Sequence, residues 1–183
     1  MHDWLGVVLR YVTNSGRRTI TVDPYNPEWA AEFEKIRSEL SALLGETALA
    51  VEHVGSTAVE GLWAKPIIDI DVVISGGDFE KARALLAAGG YEHEGDLGIA
   101  GREAFGYADK PHLMQHHLYV CAEGAAELRR HLALRDYLRE NADARERYGA
   151  IKREMAARHP HDIDAYIEGK GPVIAEIYEE LGV

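Results

Sequence analysis

The sequence predicts an α+β domain, a mixed β-sheet backed by helices and followed by a helical C-terminal portion. Three observations predict it. Apolar residues recur at three- and four-residue spacing over 26–44, β-branched runs bounded by Gly and Ser occupy the middle of the chain, and the pattern turns helical from Ala125 onward. With 183 residues, 46% of them hydrophobic and 28% charged, the chain suits one domain with a single core and lacks the composition of a disordered segment.

Residues 1–18 read as an N-terminal extension ahead of a domain that starts near Thr19. Their apolar patch, Trp4-Leu5-Gly6-Val7-Val8-Leu9, follows Asp3 rather than a basic region, a poor secretory signal. A short β-type run covers 19–22. Asn26 as a cap and Pro27 at the first helical position then open a helix to about Leu44, which buries Trp29, Phe33, Ile36, Leu40 and Leu43 and stops at Gly45. Residues 48–54 form a strand broken by Gly55-Ser56-Thr57, and 67–74 form the strongest strand, rich in β-branched residues and closed by Ser75-Gly76-Gly77. Asp78 caps a helix to about Ala88. Weaker strands follow at 91–94 and 102–107, and a better one at 116–121. Helices at 125–140, 142–158 and 163–181 complete the chain, and the helices are expected to back the sheet on one face.

The formal net charge of -11 argues against a broad phosphate-neutralising surface for nucleic acid, which draws on clustered Lys and Arg. It does not exclude a small anionic ligand, which a local cluster of cations, a metal ion or backbone N–H groups can hold. No run approaches about 20 apolar residues, so no membrane span is expected. The lone Cys121 cannot form an internal disulfide, which fits a reducing, cytoplasmic setting, and its place at the end of an apolar run marks a buried small side chain.

Chemistry concentrates in two places. Along Ile67-Ile68-Asp69-Ile70-Asp71-Val72-Val73-Ile74, the two-residue period sets Asp69 and Asp71 on one face, with α-carbons ~6.6 Å apart from a rise of ~3.3 Å per residue. Alone, the pair reads more readily as charge protecting an edge strand than as a cation site. Upstream, however, Val51-Glu52-His53-Val54 runs into Gly55-Ser56. There Gly55 permits close backbone approach to a phosphate, and Ser56 Oγ with the N–H groups of the turn can bind its oxygens.

A strand ending in Gly-Ser, followed by a strand carrying Asp-x-Asp, resembles the nucleotidyltransferase superfamily typified by DNA polymerase β. The block Glu52-His53-Val54-Gly55-Ser56-Thr57-Ala58-Val59-Glu60-Gly61-Leu62-Trp63-Ala64-Lys65-Pro66-Ile67-Ile68-Asp69-Ile70-Asp71 narrows that resemblance to the GrpB family. His116-His117-Leu118-Tyr119-Val120, Arg130 to Leu138, and Asp162-Ile163 with Tyr166 and Lys170 are similar to later segments of the family. The resemblance spans about 19–181. It implies a nucleotidyltransferase-like fold, with Asp69 and Asp71 holding magnesium, or manganese in its place, and Gly55, Ser56 and Thr57 holding phosphate. Two functions follow as expectations. One is metal-dependent transfer of a nucleotidyl group from a nucleoside triphosphate to a small acceptor. The other is a noncatalytic phosphate-ligand or accessory domain, since related domains occur fused to dephospho-CoA kinase.

Around this centre, Lys65 is expected to place positive charge near a phosphate, while His53 reads equally as a phosphate ligand or a structural histidine. The superfamily's third carboxylate has no clear counterpart. The strand where it belongs offers His117 as a base or phosphate ligand, and Tyr119 stands where the family usually has His. His131 and Arg135 share a helical face that would bind a second anionic substrate or simply face solvent. Asp136 would orient Arg135 only through another element, because adjacent helical residues point apart. Tyr166 and Lys170, four apart, are expected to close the pocket.

Overall fold

Alternation along the strongest strand decides the architecture. In the computed structural model, which describes residues 19–183, β2 is Ile68–Ile74 and presents Ile68, Ile70, Val72 and Ile74, each at most 2% exposed, to one side. The expected extension over 1–18 lies outside the described residues. Helix α1, Glu28–Leu44, covers those side chains with Trp29, Phe33, Ile36 and Leu40, and α2, Phe79–Ala88, adds Ala82 and Leu86. Burying each large aliphatic side chain contributes about 1.5–3 kcal/mol, so this layer dominates the folding free energy.

The other strands are β1 (Ala50–Val54), β3 (Tyr91–Gly95), β4 (Arg102–Tyr107) and β5 (His116–Ala122), in the order β1-β2-β5-β4-β3. β2 and β5 run parallel and the remaining pairs antiparallel, which makes the sheet mixed. The C-terminal helices are α3 (Ala126–Glu140), α4 (Ala142–Arg158) and α5 (Ile163–Leu181), and α3 meets the opposite face of β2 where His131 bonds Asp71. Only α1 and α2 back the sheet as a layer. On the second face Leu128 of α3 packs on Val73 and Cys121, because these alternate with the polar residues and still need cover. α4 and α5 have a core of their own, in which Tyr148 and Ile177 enclose Val59 and Leu62 from the segment after β1.

Local chemistry explains the element ends. Asn26 Oδ1 accepts the Glu28 N–H at 3.0 Å, Asn141 Oδ1 accepts from Ala144 N–H, and Asp162 Oδ1 from Ala165 N–H. Asp78 behaves otherwise than expected: its side chain makes no cap bond, and its carbonyl accepts the Ala82 N–H instead. The β-type run at 19–22 does not pair as a strand. A lone antiparallel bridge joins Asp23 to Ala64, while Ile20 and Val22 pack on the cluster of Met155, Ala156 and Tyr166. Burial against α4 and α5 outweighs the local extended preference. α5 continues through Pro172. Gly169 lets it approach α4, since a Cβ there would overlap Met155 Sδ. Among the described residues, no helix is long and apolar enough to cross a membrane.

Candidate functional site

The antiparallel register pairs Val54 with Asp69, so the turn after β1 descends beside the first carboxylate. Gly55 has φ 69°, and a Cβ on it would overlap Asp69 Oδ2. Glycine is required twice over, for conformation and for space. The two acids share one face of β2, as alternation demands, and each is held by a histidine. Asp69 Oδ1 accepts from His117 Nδ1 at 2.7 Å, across the parallel register that pairs these residues. Asp71 Oδ2 accepts from His131 Nδ1 at 2.7 Å, and His131 Nε2 stands 3.3 Å from Glu127 Oε1.

The two histidines differ in charge. Burial would lower the pKa of His131, but hydrogen bonds to Asp71 and Glu127 outweigh it and hold the imidazole at about 9. His117 is pushed down to about 4 by burial, aided by the positive charge of Lys170. Asp71 is fully buried, and its Oδ1 has no hydrogen-bond partner among the described residues.

Cations gather on the other side of the turn. Lys152 Nζ donates to Ser56 Oγ at 2.9 Å and lies 4.5 Å from the Tyr148 ring centroid. Lys65 and Lys170 flank the ring of Tyr166 at 5.7 and 5.2 Å. Burial, then repulsion from Lys170 and Lys65, sets the Lys152 ammonium well below its usual range, and burial lowers Lys65 and Lys170 as well. Burial raises the Asp69 carboxyl, against the pull of Lys65 and Lys170. These lysines, Ser56 and Asp69 line a cleft of about 620 Å³ that also takes in His117, Tyr119 and Tyr166.

The remaining expected residues lie elsewhere. Thr57 Oγ1 donates to the Ile67 carbonyl and is 3.0 Å from His53 Nε2, and His53 stacks on Phe33 at 4.5 Å. Both are buried behind the turn and brace it; neither lines the cleft. Arg135 reaches Glu52 Oε2 at 2.7 Å and the His53 carbonyl at 3.1 Å, tying α3 to β1. It also binds Asp136 directly at 2.8 Å, contrary to the expectation that helical neighbours need a third element. The long guanidinium stem folds back far enough to reach the adjacent carboxylate. His131 and Arg135 therefore join structural networks and do not line the cleft.

Lys152 and Arg102 are absent from the expected set. Lys152 stands one turn after Tyr148 and three residues before Met155 on the buried stripe of α4, and a lysine interrupting such a stripe is the signal for it. Arg102, 4% exposed, lies 4.2 Å from the Tyr119 ring centroid. As the first residue of a short strand, it carries no comparable pattern.

The two acids stand differently towards a cation: Asp69 lines the cleft, and Asp71, 0% exposed, does not. Each uses one oxygen on a histidine, and Asp71 Oδ1 is a buried acceptor still unmatched, the arrangement of carboxylates oriented by outer partners. Among the described residues no group of three or more His, Cys, Asp or Glu is disposed to hold a metal, so phosphate oxygens and water would have to complete the shell.

The family model described as GrpB protein matches residues 19–180. The protein YqkA of Bacillus subtilis is 33% identical over 155 residues, covering 84% of this chain; the chain spans only 45% of YqkA. A dephospho-CoA kinase of Mycolicibacterium paratuberculosis is 31% identical over 188 residues, covering 88% of this chain and 46% of the kinase. The crystal structure of GrpB from Enterococcus faecalis superposes with TM-score 0.75 at 34% identity, covering 89% of this chain and all of that one (100%). A structure of the Cid1 poly(U) polymerase, described as MgGTP bound, has TM-score 0.51 at 13% identity over 72% of this chain and 43% of its own. At that identity the likeness is one of fold, and the fold is nucleotidyltransferase-like.

Two outcomes follow from the geometry. Gly55→Ala should destabilise the protein by about 1–3 kcal/mol in urea unfolding, because strain and overlap with Asp69 add. His53, lowered from 6.5 to about 4 by burial and then by Arg139 and Arg135, makes stability sensitive to acid. The unfolded chain takes up that proton near 6.5 and the folded chain only near 4. The contribution is therefore intact above 6.5 and is lost as pH falls towards 4. Thermal melts of His53→Gln should show a shallower decline across this window than the parent, with the part due to His117 retained.

Proposed function

The chain belongs to the GrpB family, and from that premise we propose that its cleft binds the phosphate group of a small phosphorylated molecule, a nucleotide being the ligand that the fold favours. One observation carries the reading. Lys65, Lys152 and Lys170 line the cleft together with Ser56 and Asp69, Lys152 donates to Ser56 Oγ, and Asp71 is matched by His131. Burial lowers the pKa of all three lysines, and repulsion from Lys170 adds to it at Lys65 and Lys152. A phosphate dianion relieves that repulsion, with Ser56 Oγ and the N–H groups of the turn supplying directional bonds.

A second reading, metal-dependent nucleotidyl transfer, is favoured by the unmatched Asp71 Oδ1 beside Asp69. In that reading Asp69 and Asp71 would hold Mg²⁺, or Mn²⁺, which supplies neutralisation of charge on a departing pyrophosphate. The residues of this chain have their own tasks. The histidines fix the carboxylate orientations, the lysines bind phosphate, and Gly55 keeps turn and acid in contact. β5 presents His117 and Tyr119 where the superfamily has a third acid, and that substitution supports binding over transfer as the leading proposal.

Calorimetric titration with ADP and ATP, in Mg²⁺ and in EDTA, tests both. Lys152→Met should weaken binding at least about tenfold, equivalent to about 1.4 kcal/mol. It should leave the melting temperature equal or higher, because an apolar side chain of similar length replaces a buried charge. Unchanged affinity would sink the phosphate reading. Asp69→Asn combined with Asp71→Asn should abolish any increment in affinity due to Mg²⁺ while the chain stays folded. Pyrophosphate release on adding acceptor metabolites is the signature of transfer.

A further inference from the structure

Of the two hydroxyls on the Gly-Ser turn, that of Thr57 is turned back onto the Ile67 carbonyl and that of Ser56 faces the cleft. Gly55 bends the chain immediately before Ser56, and pairing of β1 with β2 fixes the bend in place. The partner of Ser56 Oγ is an amine: Lys152 Nζ stands 2.9 Å away, and the Tyr148 hydroxyl hydrogen-bonds to Ser56 as well. A serine hydroxyl is a weak nucleophile unless a base beside it can take its proton.

Lys152 has the surroundings of such a base. It is 2% exposed and lines the cleft, so the cleft is its route to solvent or ligand. Among the described residues it makes no ion pair, whereas Lys110 binds Glu39 at 2.6 Å. Tyr148 lies against it from its own helix. Lys170 on α5 and Lys65 ahead of β2 repel it, and Asp69 on β2 attracts it. Burial and repulsion favour the neutral amine, and Lys152 is displaced furthest of the three lysines. A neutral amine accepts the hydroxyl proton across the same contact that an ammonium uses to donate.

We propose that Ser56 is a nucleophile and Lys152 its general base, so that the cleft takes a phosphoryl group from a small phosphate ester onto Ser56 and releases it to water. The inference rests on the phosphate reading and adds a reaction to it. Ser56 Oγ attacks phosphorus while Lys152 Nζ takes its proton. The bond from Oγ to phosphorus forms, the bond from phosphorus to the ester oxygen breaks, and Lys152 passes the proton to the departing oxygen. In the second step Lys152 takes a proton from water, whose oxygen attacks phosphorus, and returns it to Ser56 Oγ as that bond breaks. Ester and water thus become alcohol and phosphate, with nothing oxidised or reduced. Lys65 and Lys170 hold the phosphoryl oxygens through both steps.

Incubation with para-nitrophenyl phosphate tests it, followed by nitrophenolate release and by peptide mass mapping after an acid quench, beside calorimetry with inorganic phosphate. The parent should release nitrophenolate and carry phosphate on Ser56. Lys152→Arg keeps a cation but supplies no base, because a guanidinium is not deprotonated in proteins. It should bind inorganic phosphate and lose at least about a hundredfold in release. Ser56→Ala, a small truncation on the turn, should lose release to the same extent and take up no phosphate. A parent that binds inorganic phosphate without releasing nitrophenolate overturns the inference and leaves the phosphate reading standing. Release undiminished in either variant, or phosphate found on another residue, overturns it as well. If the parent binds no inorganic phosphate, the phosphate reading itself fails and takes the inference with it.

Discussion

Contact between the Gly55 backbone and the Asp69 carboxylate is the constraint on which the rest of the site depends. Antiparallel pairing of β1 with β2 puts the end of one strand opposite the first acid of the other, and the missing side chain at Gly55 lets the chain turn there without a gap. Ser56 thereby faces the cleft while Thr57 points back into the domain. Any larger residue at 55 would push the turn off the sheet, and the hydroxyl, the acid and Lys152 would no longer converge.

Charge is distributed over the polar face in two ways. Toward α3, opposite charges meet: Asp71 with His131 and Glu127, and Glu52 with Arg135. These contacts lock the helix to the sheet and match the buried Asp71 and the half-buried Glu52 with cations. Toward α4 and α5, Lys65, Lys152 and Lys170 gather near Asp69, with Glu94 and Asp109 elsewhere in the lining. A protein of net charge -11 thus concentrates positive charge in one recess.

What was legible in the sequence follows from the range of the interactions involved. Alternation along β2 sorts Asp69 and Asp71 from the apolar residues using nothing beyond neighbours, and Gly55-Ser56 announces a turn for the same reason. The long helices, the first with its cap at Asn26, were equally readable, whereas the Asn141 cap was found only in the structure. Partnerships across the fold were not. Nothing local indicates that His131 meets Asp71 sixty positions earlier, that Arg135 is spent on Glu52, or that His53 supports the turn rather than the cleft. Lys152 is an intermediate case. Its place on a buried stripe was visible, but its meaning came only when α4 docked beside Ser56.

Docking of α4 and α5 also explains why the cleft belongs to no single layer. The sheet contributes acids and histidines, and the helical pair contributes Lys152, Tyr166 and Lys170. The link between them is the segment after the Gly-Ser turn, whose Val59 and Leu62 are wholly buried in the helical core. One short stretch of chain therefore shapes the Gly-Ser turn at its start and anchors the lysine-bearing helices at its end. Movement of those helices against the sheet would be transmitted first to Ser56, which a lysine from the far side already grips. A ligand touching both the lysines and the turn would bind across that junction and hold helices and sheet in the arrangement seen, in proportion to its contacts with both halves.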